Sequence, residues 1–446
     1  MGNPALERLR KNDKKGLFLS SQTSVSYLTG LTPLDYKNGY IVEVRDRNEK
    51  LIKKYESLGV VGGTFITIVG KTGTAKTTLA SQIAAKIVKD YPCSFCQHYD
   101  LEQADSYTRI KKVTGLSQAE LEDKYILRQE KMYIENIFEA IMLIAKDKED
   151  NKEEWQYETG LEDEFGKPII AYQPTVVILD SIPTVASEDS DGKTAMEGST
   201  YANRVAKALA QFYKKLMPII KTYNITVIAI NHINAKIEIN PFAKTQPQIL
   251  TMKMDESLPG GNAPIYYANN IFKLTSIGSE KFIMEDDGFD GFVSRCDLLK
   301  ARTNKSGQFC ELVYNQVTGF DPLLTQFRFA MQNGMVAGRN PYRYFNDFPD
   351  VKFDSRKFTE LFAENEEIRK GLFASTIPIM QKQLREGSAP TNKMAEYLAA
   401  VQSLLISQEN EEFEETVSDA KVSGSWGNWD NYKWEMYDAD YYNIFQ

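Results

Sequence analysis

The sequence predicts an α/β protein, a mostly parallel sheet flanked by helices, and three observations predict it. From Thr64 onward, apolar runs of four to six residues alternate with amphipathic segments, which is how buried parallel strands and their covering helices read. The first run, FITIVG (65–70), passes directly into a glycine-bearing turn and then into a segment with Leu79, Ile83 and Ile87 at i, i+4 and i+8, one buried helical face. Two later runs, TVVILD (175–180) and ITVIAI (225–230), end on polar residues. The C-terminal edge of a parallel sheet is where ligands bind, so the chemistry is expected there.

Taken in order, residues 1–60 are charged and turn-rich, with short pieces around Pro4 to Arg10 and Tyr40 to Val44, and read as an N-terminal linker or docking arm. The core is expected over 61–330. Within it a helix bearing Val205, Leu209, Phe212, Leu216 and Ile219 joins the second and third apolar strands, and the acidic stretch between Lys146 and Pro168 reads as a solvated surface insertion. Residues 331–408 have a more polar, helical pattern and are expected to form a helical C-terminal region. The tail, 409–446, carries ten acids against Lys421 and Lys433, which equals the whole formal charge of −8. The rest is balanced, so the acidic composition does not exclude a nucleic-acid surface.

The longest apolar runs are too short to span a bilayer, and the N-terminus has no apolar signal region. A cytoplasmic setting without membrane contact is therefore expected. Four cysteines fit a reducing compartment. Cys93 and Cys96 form a CxxC, but Cys296 and Cys310 do not repeat that spacing, so buried thiols are expected rather than a four-thiolate zinc site.

The turn after FITIVG is Gly70-Lys71-Thr72-Gly73-Thr74-Ala75-Lys76-Thr77-Thr78. It matches G-x4-G-K-[ST] except that Ala75 replaces the second glycine. Between a strand and a helix, such a turn cradles a triphosphate with backbone N–H groups, while Lys76 reaches the β/γ oxygens and Thr77 holds Mg2+. Asp180 ends its strand where a carboxylate holds the metal through water; its plain alternative is a cap for the next turn. Glu102, in HYDLEQAD, is placed to orient and deprotonate an attacking water. Asn231 and His232 close the third strand, where His232 can sense a terminal phosphate or simply satisfy the strand end.

In the order GKTGTAKTT, DLEQA, VVILDS, INH, GGNAPIYYA and LLKAR, residues 24 to about 330 resemble the RecA recombinase core, nearest its phage UvsX-type branch. Thr29 to Asp35 also resembles the turn such ATPases place before the phosphate loop. The resemblance implies a RecA-like P-loop ATPase that binds ATP and Mg2+, with Glu102 as catalytic base, Asp180 as Walker-B acid and His232 as γ-phosphate sensor. RecA proteins carry glutamine at that last place, so the histidine is a departure. It further implies a helical homo-oligomeric filament on single-stranded DNA, homologous pairing with double-stranded DNA, strand exchange, and a mediator or single-strand-binding protein as partner.

Two segments are implied to touch DNA. One is about 188–201, with Lys193 and Met196; the other is about 234–264, with Lys236, Ile237, Lys244, Lys253, Gly260, Gly261 and Asn262. Glycine backbone approaches phosphate closely, lysines supply charge, and Met196 or Ile237 can wedge between bases. Surface flexibility is the alternative. Lys300 and Arg302 alternate on one strand and share a face; in RecA proteins two basic residues here reach the neighbour's γ-phosphate, as an arginine finger does. Tyr107 and Arg109 are placed near the adenine. The tail holds Trp426, Trp429 and Trp434 among its acids and, by the same resemblance, would restrain DNA binding. A hexameric replicative helicase and a non-hydrolysing DNA-binding mediator are the rival readings.

Overall fold

A computed structural model describes residues 24–46, 48–163, 165–188, 198–235, 247–279, 290–339 and 341–388, besides a few positions nearer the N-terminus. Its centre is a mixed, largely parallel sheet. In chain order its strands are β1 (Phe65–Gly70), β2 (Cys96–Asp100), β3 (Tyr125–Arg128), β4 (Thr175–Asp180), β5 (Ile225–His232), β6 (Asn270–Ser279), β7 (Gly291–Ala301), β8 (Phe309–Asn315) and β9 (Gly319–Asp321). Across the sheet they run β9-β8-β7-β6-β1-β5-β4-β2-β3. The six from β6 to β3 are parallel, and β7, β8 and β9 add antiparallel strands beyond β6.

The continuous apolar runs become the central strands because both faces are covered. Helix α1 (Lys76–Lys89) lays Leu79, Ile83 and Ile87 against Ile66, Ile68, Ile178 and Ile228. On the other face α2 (Ile134–Asp150) and α3 (Gly198–Thr222) cover Phe65, Val177, Leu179, Val227 and Ala229. Successive strand residues thus go to opposite faces. Burying each such side chain stabilises by roughly 1.5–3 kcal/mol, and a one-residue slip would misplace all of them, so the register is fixed. That register sets His232 beside Gly70 and Asp180 beside Asp100. The C-terminal ends of β1, β5, β4 and β2 therefore form one edge.

Three stretches depart from the sequence expectations. Of the N-terminal segment, residues 24–46 and 48–61 are folded: Ser26–Tyr27 pairs with Val60–Val61, a buried helix spans Thr32–Asn38, and Tyr40–Arg45 pairs with Leu51–Ser57. Asp35 organises the turn, accepting from the Thr29 amide and hydroxyl, both at 2.7 Å. The acidic insertion forms a hairpin, Gln156–Glu162 with Pro168–Tyr172, tied down by Tyr55 donating to the Glu162 carbonyl.

The C-terminal region is not wholly helical. Strands Val336–Arg339, Tyr342–Phe345 and Phe348–Asp354 precede helices Phe358–Glu364 and Glu366–Ser388. Phe345 and Phe353 are buried against Phe327 and Phe358, so aromatic packing outweighed the polar composition. Among the described residues no helix is long and apolar enough to cross a membrane. Lys193, Met196, Lys236, Ile237, Lys244 and the acidic tail lie outside the described residues.

Candidate active site

The glycine-bearing turn leaves β1 and closes on itself, Thr74 Oγ1 donating to the Lys71 carbonyl at 2.8 Å. Gly70 has no room for a side chain: a Cβ there would stand 2.6 Å from Thr74 Oγ1 and 2.8 Å from the Leu274 carbonyl oxygen. Lys71, Thr72 and Gly73 are exposed on the outer side of the turn. Ala75, which begins α1, has φ +61° and ψ +33°, the left-handed region. Glycine's usual advantage in this motif is therefore conformational, and alanine here carries a strain of about 1–2 kcal/mol. Its methyl group also packs against the core beside α1, which offsets part of that. Ala75→Gly is expected to change stability by no more than about 1 kcal/mol and turnover by less than about fivefold. Phosphate release under saturating ATP checks this, and recovery from zero activity would show that the native turn does not hydrolyse.

Thr78 and Arg109 meet behind the turn, with Arg109 Nη2 donating to Thr78 Oγ1 at 3.2 Å. Tyr107 is turned to the edge strand, its hydroxyl accepting from the Leu127 amide.

The two residues read from the sequence as a metal pair are in contact. Thr77 Oγ1 donates to Asp180 Oδ2 at 2.6 Å. Lys76 is buried, and its ammonium donates to the Lys71 carbonyl at 2.9 Å inside the turn. Burial lowers the Lys76 pKa, while Asp180 and Glu102 pull it back up. Among the described residues no cluster of three or more His, Cys, Asp or Glu is arranged to hold a metal ion. Thr77 and Asp180 are the residues here that could hold a divalent cation, whose remaining oxygen ligands would have to come from phosphate and water.

Glu102 arrives by a turn that Asp100 organises. The Asp100 carboxylate accepts from the amides of Ala104 and Asp105 and from Gln129 Nε2, and Leu101 donates to the Asp180 carbonyl at 2.7 Å. Glu102 Oε1 then accepts from the Ser181 hydroxyl and stands 3.2 Å from His232 Nε2. Partial burial pushes this carboxyl up, but the bonds from Ser181 and His232 outweigh burial and hold it below the ordinary glutamate value. It is ionised at neutral pH and half-exposed, as a base must be.

Asp180 behaves oppositely. Burial above all, with Glu102 and Asp100 adding, pushes its pKa up to about 7 against the pull of Thr77 and Lys76. A carboxyl raised from about 3.9 in the unfolded chain stabilises the fold fully only below that value, and stability is lost as pH climbs to the folded pKa. Three pH units correspond to about 4 kcal/mol. Asp180→Asn is therefore expected to raise the metal-free melting temperature at pH 8 and leave it unchanged near pH 4, which a thermal scan at both values checks.

Lys300 and Arg302 do not join this edge. Lys300 is in register with Ile271, and Ile271 with Thr67, three residues before Gly70. Lys300 thus lies roughly 10 Å along the strands toward the opposite end of the sheet, two strands across, and Arg302, just past the strand, lies further still. Lys300 Nζ donates to the Ile265 and Tyr266 carbonyls at 2.8 and 2.9 Å, and Arg302 Nη2 to Tyr266 at 3.0 Å. These carbonyls end the short helix α4 (Ala263–Tyr267). Burial, then the nearby Arg302, lowers the Lys300 pKa to about 8.

Gly260, Gly261 and Asn262 precede α4. Gly260 is closely packed, since a Cβ would stand 2.8 Å from Ile182 Cγ2, whereas Gly261 and Asn262 are exposed. Asn231 Nδ2 donates to the Pro259 carbonyl at 3.0 Å, tying the end of β5 to this turn. Sequence reasoning missed Asp100 and Ser181, although each lies within two residues of a predicted group on a strand end. The chain matches no family model and no curated protein, so the reading of this site rests on its own geometry.

Proposed function

We propose that this chain is an ATP-dependent DNA-strand-exchange protein of the RecA type, polymerising on single-stranded DNA with its nucleotide between neighbouring protomers. The observation that carries the reading is the separation of two groups of candidate residues along the sheet. The turn, Thr77, Asp180, Glu102 and His232 share one sheet edge, while Lys300 and Arg302 lie toward the other end. Cations so placed serve the phosphate held by a second copy in a head-to-tail array, and such heterologous contacts propagate as a helix where the rotation does not close into a ring.

ATP with Mg2+, when bound, supplies the phosphoanhydride to be cleaved. The backbone N–H groups of 71–75 and the Lys76 ammonium bind the phosphates, and Thr77 and Asp180 orient the cation. Ionised Glu102 orients the attacking water and takes its proton. His232, in contact with Glu102, registers the terminal phosphate, and Asn231 carries the change to Pro259 and the Gly260–Asn262 turn. Exposed Gly261 and Asn262 face the polynucleotide, with Lys193, Met196, Lys236 and Ile237 assigned to the same role from sequence.

The test is strand exchange between homologous circular single-stranded and linear duplex DNA, with wild type and Lys76→Ala. Joint and exchanged products with wild type alone are expected. Closed rings in electron micrographs and no exchange would favour the helicase reading instead.

A further inference from the structure

We infer that His98 is a positioning residue for Asp180, held by a closed ring of buried and partly buried side chains that begins and ends on α1. The inference rests on the reading of Thr77 and Asp180 as the cation-holding pair. His98 is wholly buried on β2 and, with Cys96 and Asp100, faces the α1 side of the sheet. Its Nδ1 lies 3.0 Å from the Tyr125 hydroxyl at the start of β3, and that hydroxyl donates to Ser81 Oγ at 3.0 Å. Ser81 stands one helical turn beyond Thr77, whose hydroxyl donates to Asp180 Oδ2. The ring closes where His98 Nε2 faces that same Oδ2 at 3.9 Å.

Because the Tyr125 proton goes to Ser81, Nδ1 of His98 carries the ring proton and Nε2 presents a lone pair. Among the described residues Nε2 has no hydrogen-bond partner. A buried acceptor left unpaired is costly, and an apolar side chain would fill the space without that cost. The lone pair opposes the ionised carboxylate at 3.9 Å, so Oδ2 is repelled from the sheet interior and kept on Thr77. His98 is thus a backstop, both steric and electrostatic, that aims Asp180 at the phosphate edge. Tyr125 and Ser81 fix its ring to the helix that carries Thr77, so the acid and the hydroxyl are registered to one another.

The test follows binding of a fluorescent ATP analogue as Mg2+ is titrated, with melting temperature measured alongside. His98→Phe keeps the bulk but loses the lone pair and the Tyr125 anchor. It is expected to raise the Mg2+ concentration for half-maximal binding about tenfold, the size seen when groups supporting a metal ligand are removed, with Mg2+-free binding unchanged. His98→Gln, whose amide oxygen reaches toward the Nε2 position, is expected to recover most of the loss. Should His98→Phe fail to fold, Tyr125→Phe removes only the anchoring hydroxyl and should shift the Mg2+ midpoint in the same direction. Wild-type Mg2+ dependence in the folded variants, with only the melting temperature lowered, would overturn the inference while leaving the site reading intact. Binding by wild type that ignores Mg2+ would overturn both.

Discussion

Lys76→Ala is expected to lower polynucleotide-stimulated phosphate release by about a hundred- to a thousandfold, the size of removing one preorganised charge from a developing phosphoryl transition state. The side chain is only 7% exposed and lies within the turn, donating to the Lys71 carbonyl. It is therefore already oriented, and no ordering is needed when phosphate arrives. Alanine also removes the cation that partly offsets the raised pKa of Asp180, so Mg2+ binding should weaken too. The fold should persist, because the hydrophobic contacts of α1 come from Leu79, Ile83 and Ile87. A variant that melts normally and keeps more than a tenth of wild-type turnover would move the chemistry elsewhere.

Removing Lys300 and Arg302 together, each to alanine, is expected to cost about 10³–10⁵ in turnover, the range of a charge supplied in trans. The loss should be repaired by the Lys76→Ala chain, which is itself inactive. Mixed at equal concentration, one variant supplies intact turns and the other intact cations. With random neighbours about a quarter of the wild-type rate should return, since half the protomers own a working turn and half of those face working cations. The register that sets Lys300 level with Thr67 rather than Gly70 motivates this expectation. A mixture no faster than the average of its parts would show that these cations act within their own protomer or not at all.

Much of this site was legible in the sequence because its parts are local. The phosphate turn, Asp180 and His232 each stand at the end of a recognisable apolar run, Glu102 follows the apolar-flanked Cys93 to Tyr99 segment, and parallel strands bring such ends to one edge. The order of strands was not legible: that β5 lies between β1 and β4 depends on pairings between residues 162 positions apart, as Phe65 with Val227, and 50 apart, as Thr175 with Ile225. The place of Lys300 and Arg302 was hidden for the same reason, since alternation on a strand says which face they share but not which end of the sheet they reach. His98 sits inside a strand rather than at its end, and its partners Tyr125, Ser81 and Asp180 come from three other elements. In the C-terminal region, helix-like polarity concealed Phe345 and Phe353, whose burial is decided by Phe327 and Phe358.

Phosphate release per protomer, followed against protein concentration with and without single-stranded DNA, tests the shared nucleotide site most directly. Negligible release by dilute protein without polynucleotide, rising steeply as protomers assemble on DNA, is the expected result. Full-speed hydrolysis by a monomer in the absence of any polynucleotide would contradict it.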